Sequence, residues 1–259
     1  MKNESCCNIK ETNINSCCGG NDFIVTDQSK IDNPKNPKKI IDLSFLKKLE
    51  DKAKDLGVID IGYGKVPKNI TINNSNLKFF NTIVLTMPIG MDIINAGFNA
   101  QKLNNKLYEK FGNATYDISD DLRDNGFETQ VAHPKEDLLD LAILAEEAGI
   151  GYKGKSGLII NPNLGPRLKI AAILTSIENL PFNLDNNHKW IQEYCKKCSS
   201  CIKNCPKNAL FENEDLTIAD LNDSTCIGCT QGCTICIETC PFYLKGYSNM
   251  KNVYDKIKG

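Results

Sequence analysis

The stretch Cys195-Lys-Lys-Cys198-Ser-Ser-Cys201-Ile-Lys-Asn-Cys205-Pro206 decides how this chain is read. Three thiols at two-residue gaps suit three irons of one [4Fe-4S] cube, and a fourth, set back by three residues and followed by proline, points to a second cube. A later run, Cys233-Thr-Ile-Cys236-Ile-Glu-Thr-Cys240-Pro241, repeats the last two steps. Paired pseudo-symmetrically, the two runs give one cluster to Cys195, Cys198, Cys201 and Cys240. The other takes Cys205, Cys233, Cys236 and either Cys226 or Cys229. Structural zinc is the competing reading, but a zinc site needs only four ligands and has no use for the repeated Cys-Pro pair.

Outward from this module, 9 of the 13 cysteines in 259 residues fall between Cys195 and Cys240. The N-terminal residues carry neither an apolar stretch nor a twin arginine, so the density reads as metal ligation in a cytoplasmic protein rather than as disulfides. No apolar run is long enough to cross a bilayer; the best, Leu168–Ile177, is interrupted by Lys169. The net charge is −1, and every basic residue except Arg123 and Arg167 is a lysine spread along the chain. That balance argues against a DNA partner.

Residues 1–40 read as a flexible tail with adjacent cysteine pairs, Cys6-Cys7 and Cys17-Cys18, suited to a soft metal or to nothing in particular. From residue 41 to 180, helix and strand patterns mix, which predicts an α+β core. A helix begins at Asp42 or Ser44 and closes at Gly57. Strands are predicted over 58–63, 82–87, 127–132, 157–161 and 168–176, with helices over 98–111, 116–124 and 137–148. A linker near 178–187 leads to the cysteine module at 188–245 and a charged tail at 246–259.

Gly149–Ser156 satisfies both the G-x-G-x-x-G and the G-x-x-x-x-G-K-S patterns. Both phosphate-binding mechanisms require a strand before the loop and a helix after it. Here a helix precedes the glycines and a β-like segment follows. A nucleotide site is therefore refused, and the glycines are read as letting the backbone turn close to a bulky ligand.

The segment Ala148–Arg167, the strand after it and the double cysteine run together resemble the C-terminal half of epoxyqueuosine reductases and reductive dehalogenases. Asp121–Thr129 extends the likeness upstream. The resemblance implies a nitroreductase-like core holding cobalamin beside a ferredoxin-like domain with two [4Fe-4S] clusters. It favours Cys226 as the eighth ligand, and it puts Gly151, Gly154, Lys155, Gly157, Gly165 and Arg167 against the corrinoid. The chain departs from both families in being shorter. It also lacks the dehalogenases' export signal, the helical repeats and Asp-Tyr-His stretch of the epoxyqueuosine enzymes, and the Thr-Asp pair, replaced by Thr175-Ser176.

Reductive cleavage at cobalt consumes low-potential electrons and a proton. Tyr116 is the candidate proton donor by analogy with the dehalogenases, its plain alternative being a half-buried helix tyrosine. Lys155 reads equally as a cofactor contact or a solvated loop lysine, and His133 and His188 as structural histidines. The expected function is an iron–sulfur reductase, fed by ferredoxin or flavodoxin, that reduces a small organic substrate through a corrinoid. The alternatives are an electron-transfer protein that reduces a corrinoid on a partner protein, and a reductase with FMN on the same core.

Overall fold

The computed structural model describes residues 27–67, 77–135, 138–182 and 185–258; the Cys6-Cys7 and Cys17-Cys18 pairs lie outside them. Helix α1 (Leu43–Asp55) starts where the Asp42 carboxylate accepts the backbone N–H groups of Ser44 and Phe45, satisfying donors that have no partner within the helix. Two strands follow, β1 (Asp60–Lys65) and β2 (Asn81–Pro88). Later come β3 (Thr129–Ala132) and β6 (Leu168–Thr175), and the four form one antiparallel sheet in the order β1-β2-β6-β3. In its centre Asn81 faces Thr175 and Pro88 faces Leu168.

Both faces of this sheet are covered, which is why β2 and β6 read as apolar runs without alternation. On one face Ile83, Leu85, Met87, Ala171 and Ile173 meet α1 and the long helix α3 (Gln101–Asp124) through Leu49, Phe111, Ile118 and Leu122. On the other, Val84, Ala132, Ala172 and Leu174 meet Leu144, Ala145 and Ala148 at helix α4 (Leu141–Glu147). A short helix α2 (Met91–Ala96) links β2 to α3.

The mixed helix and strand content agrees with the expected α+β class, and several boundaries differ. The two helices expected over 98–111 and 116–124 are one, 24 residues long. Gly112 lies inside it, where a Cβ would come within 2.2 Å of His133 Nε2; the glycine admits the ring. Helix α4 starts at Leu141, capped by Asp140, and not at Asp137. The strand expected over 157–161 shrinks to Ile159–Ile160 (β5), which pairs with Tyr152–Lys153 (β4) as a small hairpin.

The cysteine region is built from short pieces. Helices α5 (Trp190–Cys198), α6 (Ser200–Lys203), α7 (Ile235–Glu238) and α8 (Pro241–Leu244) carry most of the thiols, with a two-residue pairing of β7 (Leu210–Phe211) and β8 (Asp220–Leu221) between them. Helix α9 (Tyr247–Lys258) closes the chain, its Tyr247 packed on Trp190 and hydrogen-bonded to His188 at 2.6 Å. Among the described residues no helix is long and apolar enough to cross a membrane.

Candidate functional site: two thiol-lined cavities beside a buried tyrosine–lysine pair

The cysteines divide between two adjoining cavities. Cys195, Cys198, Cys201 and Cys240 line the first, with Tyr194, Ile160, Phe242 and Lys155. Cys205, Cys226, Cys229 and Cys233 line the second, walled by Pro206, Leu158, Leu210 and Ile237. Cys236 and Ser156 border both. The four thiols expected to share one centre line the first cavity, and both candidates for the eighth ligand line the second. Sequence-distant Cys240 reaches the first cavity because it stands in extended conformation at the start of α8, whose first residue is Pro241. Ser199, at φ 50°, breaks α5 from α6 so that Cys198 and Cys201 reach the same cavity.

All nine described cysteines are free of disulfides. Among the described residues no three His, Cys, Asp or Glu side chains converge closely enough to hold a single metal ion. The thiols instead line the walls of the two cavities. Burial pushes the Cys195 thiol up to about 12 and the Cys240 thiol to about 11, and it raises Cys201, Cys226 and Cys233 as well. Without metal these thiols would keep their protons, and a metal that bound there would displace them. Cys226 lies within electrostatic reach of Cys233 and Cys205. The Cys229 carbonyl accepts a 2.8 Å hydrogen bond from the Asn104 side chain, which ties this loop to α3.

The glycine segment lies against this region. Gly151 and Gly154 give up a side chain to protein atoms: a Cβ would fall 2.4 Å from the Ile160 carbonyl oxygen and 2.6 Å from Ile160 Cδ1. Gly165, at φ 58°, would bring its Cβ to 3.0 Å from the Phe242 carbonyl, next to Cys240. Close packing within the molecule thus explains these three, and only Gly157 of the four faces open space. Arg167 donates to the Ile89 carbonyl. Lys155 is not a solvated loop residue: it is 3% exposed and donates to the Lys196 carbonyl, Ser199 Oγ and Glu212 Oε1 at 2.9–3.1 Å. The segment runs from helix to hairpin, so no helix N-terminus follows it to receive a phosphate.

A third feature escapes the sequence patterns. Lys169 projects from β6 toward α3 and its Nζ donates to Tyr108 Oη at 2.7 Å, with the two residues 9% and 2% exposed. The ammonium also stands 4.4 Å from the centre of the Tyr108 ring, and Lys135 stands 4.9 Å from the same ring. Tyr116, the expected donor, lies two turns further along α3, buried and stacked near His133. Burial holds His133 down to about 4, and its Nδ1 accepts the Lys135 backbone N–H.

Paired thiol cavities on such a scaffold invite comparison with known proteins. Over 120 residues, 46% of the chain, it is 31% identical to the tetrachloroethene reductive dehalogenase of Dehalobacter restrictus, of which the match covers 21%. Over 123 residues, 40% of the chain, it is 32% identical to the epoxyqueuosine reductase of Staphylococcus aureus, of which 29% is covered. Over these segments the chain is similar to reductive dehalogenases and epoxyqueuosine reductases. The match spans about a fifth of the dehalogenase relatives' length. No family model matches the sequence. Among solved structures, the catabolic reductive dehalogenase NpRdhA, in complex with 3-bromo-4-hydroxybenzoic acid, superposes with a TM-score of 0.66 at 15% identity, over 88% of this chain and 36% of that one. An epoxyqueuosine reductase bound to a tRNA stem loop superposes with a TM-score of 0.54 at 18% identity, over 80% of this chain and 68% of the other. The chain therefore shares their fold.

Proposed function

We propose that the chain is an iron–sulfur reductase in which a nitroreductase-like core at 41–180 works with a ferredoxin-like, two-cluster module at 188–245. The observation that carries this reading is the division of the thiols into two adjoining sets. Cys195, Cys198, Cys201 and Cys240 would hold one cube, and Cys205, Cys226, Cys233 and Cys236 the other. Bound there, the cubes supply single low-potential electrons and a corrinoid supplies the centre for reductive cleavage; a relative's structure is described in terms of B12-dependent dehalogenation. A ferredoxin or flavodoxin is the matching donor.

The chain's own contribution is to hold ligands and a proton. Tyr108 replaces Tyr116 as the favoured proton donor, because a buried ammonium already donates to its phenol oxygen. A charge-assisted hydrogen bond of this kind stabilises the phenolate left after the proton departs.

A second reading, reduction of a corrinoid carried by a partner protein, is favoured by the filled faces of Gly151, Gly154 and Gly165. Anaerobic reconstitution with iron, sulfide and hydroxocobalamin, followed by gel filtration, separates the two. Eight irons, on the order expected for two cubes, with corrinoid bands retained support the first reading. Irons retained with the corrinoid lost support the second, and zinc in place of iron defeats both. Under the first reading Tyr108→Phe keeps iron and corrinoid but loses about 100-fold in product formation, whereas Tyr116→Phe does not.

A further inference from the structure

The two cavities differ in the charge built behind them. The first has Lys155 at its wall. Its backbone N–H hydrogen-bonds the Cys195 sulfur, and its ammonium acts on Cys201. That ammonium is held from three sides, and the carboxylate that pairs with it belongs to Glu212, whose side chain is 44% exposed against 2% for the lysine. The positive end of the pair therefore lies inside, toward the thiols, and the negative end lies in water, where screening is strong. Behind the second cavity carboxylates take that place, and the lysine in its wall, Lys207, is exposed to solvent rather than buried beside the thiols. Asp223 acts on Cys226 and Glu238 on Cys233. The Glu238 carboxylate is fixed by the hydroxyl of Thr234, itself buried in that cavity's wall.

A cube ligated by four thiolates becomes more negative by one charge when reduced. A fixed cation and N–H donors at the sulfurs favour that change, and carboxylates oppose it. We propose that Lys155 is a positioning residue that sets the order of reduction, making the centre held by Cys195, Cys198, Cys201 and Cys240 the first of the two to accept an electron. Each centre takes one electron from a low-potential one-electron donor, its core passing from 2+ to 1+ with no bond made or broken. The inference rests on the two-cluster reading above. It adds an internal slope: an electron arriving at the Cys205 side falls toward the Cys195 side.

The test is a potentiometric titration of the anaerobically reconstituted full chain, followed by electron paramagnetic resonance, with dithionite as reductant. The wild type should show two one-electron waves. Lys155→Met should move the upper wave to lower potential and leave the lower one in place, and Lys155→Arg should restore the upper wave. Glu212→Gln, which keeps the buried ammonium and removes the outer carboxylate, should move the upper wave the opposite way. It also serves if Lys155→Met fails to take up iron. Two cubes whose waves stay put in Glu212→Gln and in whichever Lys155 variant loads would overturn the role of Lys155 and leave the two-cluster reading intact. One cube or none in the wild type would overturn the two-cluster reading itself.

Discussion

The sheet core and the cysteine region of this chain are held together by different means. Around β2 and β6 the side chains of Ile173, Leu174, Leu85 and Phe111 are essentially out of water, and regular hydrogen-bonded strands satisfy the backbone. In the cysteine region several helices have four residues and the one β-pairing has two. The three described non-glycine residues with positive φ, Ser199, Asn208 and Leu216, all lie there. Left-handed conformations of that kind cost roughly 1 kcal/mol or more each, and four-residue helices have no stability of their own. The core is therefore specified by burial, whereas the cysteine region, with its smaller cluster around Ile191 and Phe242, would on the proposed reading depend on what its thiols bind.

The sharpest way to break this comparison is to remove the metal. Chelation of reconstituted protein should melt the cysteine region while the sheet survives, seen as hydrogen-exchange protection lost over 190–245 and kept over 81–88 and 168–175. One cooperative unfolding of the whole chain would contradict it. A smaller effect comes from the core side. Phe111→Ala should cost about 3–5 kcal/mol, measured by denaturant unfolding, and by the same amount with or without iron, because Phe111 belongs to the sheet's cluster.

The smallest effect is a pH dependence confined to the core. His133 is held at about 4 in the folded state against an ordinary 6.5. Between those values the unfolded chain binds a proton that the folded chain refuses. Stability therefore falls as pH drops through that window, by about 3 kcal/mol at most. Charging the ring also sacrifices the hydrogen bond that Nδ1 accepts from Lys135. His133→Gln should flatten the slope between pH 6.5 and 4 in urea titrations.

That the thiols of the two runs gather around adjoining cavities was legible in the sequence because local spacing is what a sequence displays. Asp42 as a cap, the helix-before-glycine order and the apolar runs of the central strands were legible for the same reason. Long-range pairings were not. The helices expected over 98–111 and 116–124 are one, and nothing in the neighbourhood of Gly112 announces that the His133 ring packs against it. Nor does the sequence show that a side chain at Gly151, Gly154 or Gly165 would meet Ile160 or Phe242. The Tyr108–Lys169 pair left one trace, since Lys169 interrupts the apolar run 168–177. A lysine in a strand covered on both faces needs a buried partner, and only the fold could name Tyr108.

Helix α3 carries both ends of one further relation. Asn104, which grips the carbonyl of Cys229, and Tyr108, which receives the Lys169 ammonium, are separated by a single turn of the same rod. The spacing of these two anchor residues along the rod is thus set by helical pitch, about 5.4 Å per turn, so the cysteine loop and the sheet's lysine are tied to one rigid element.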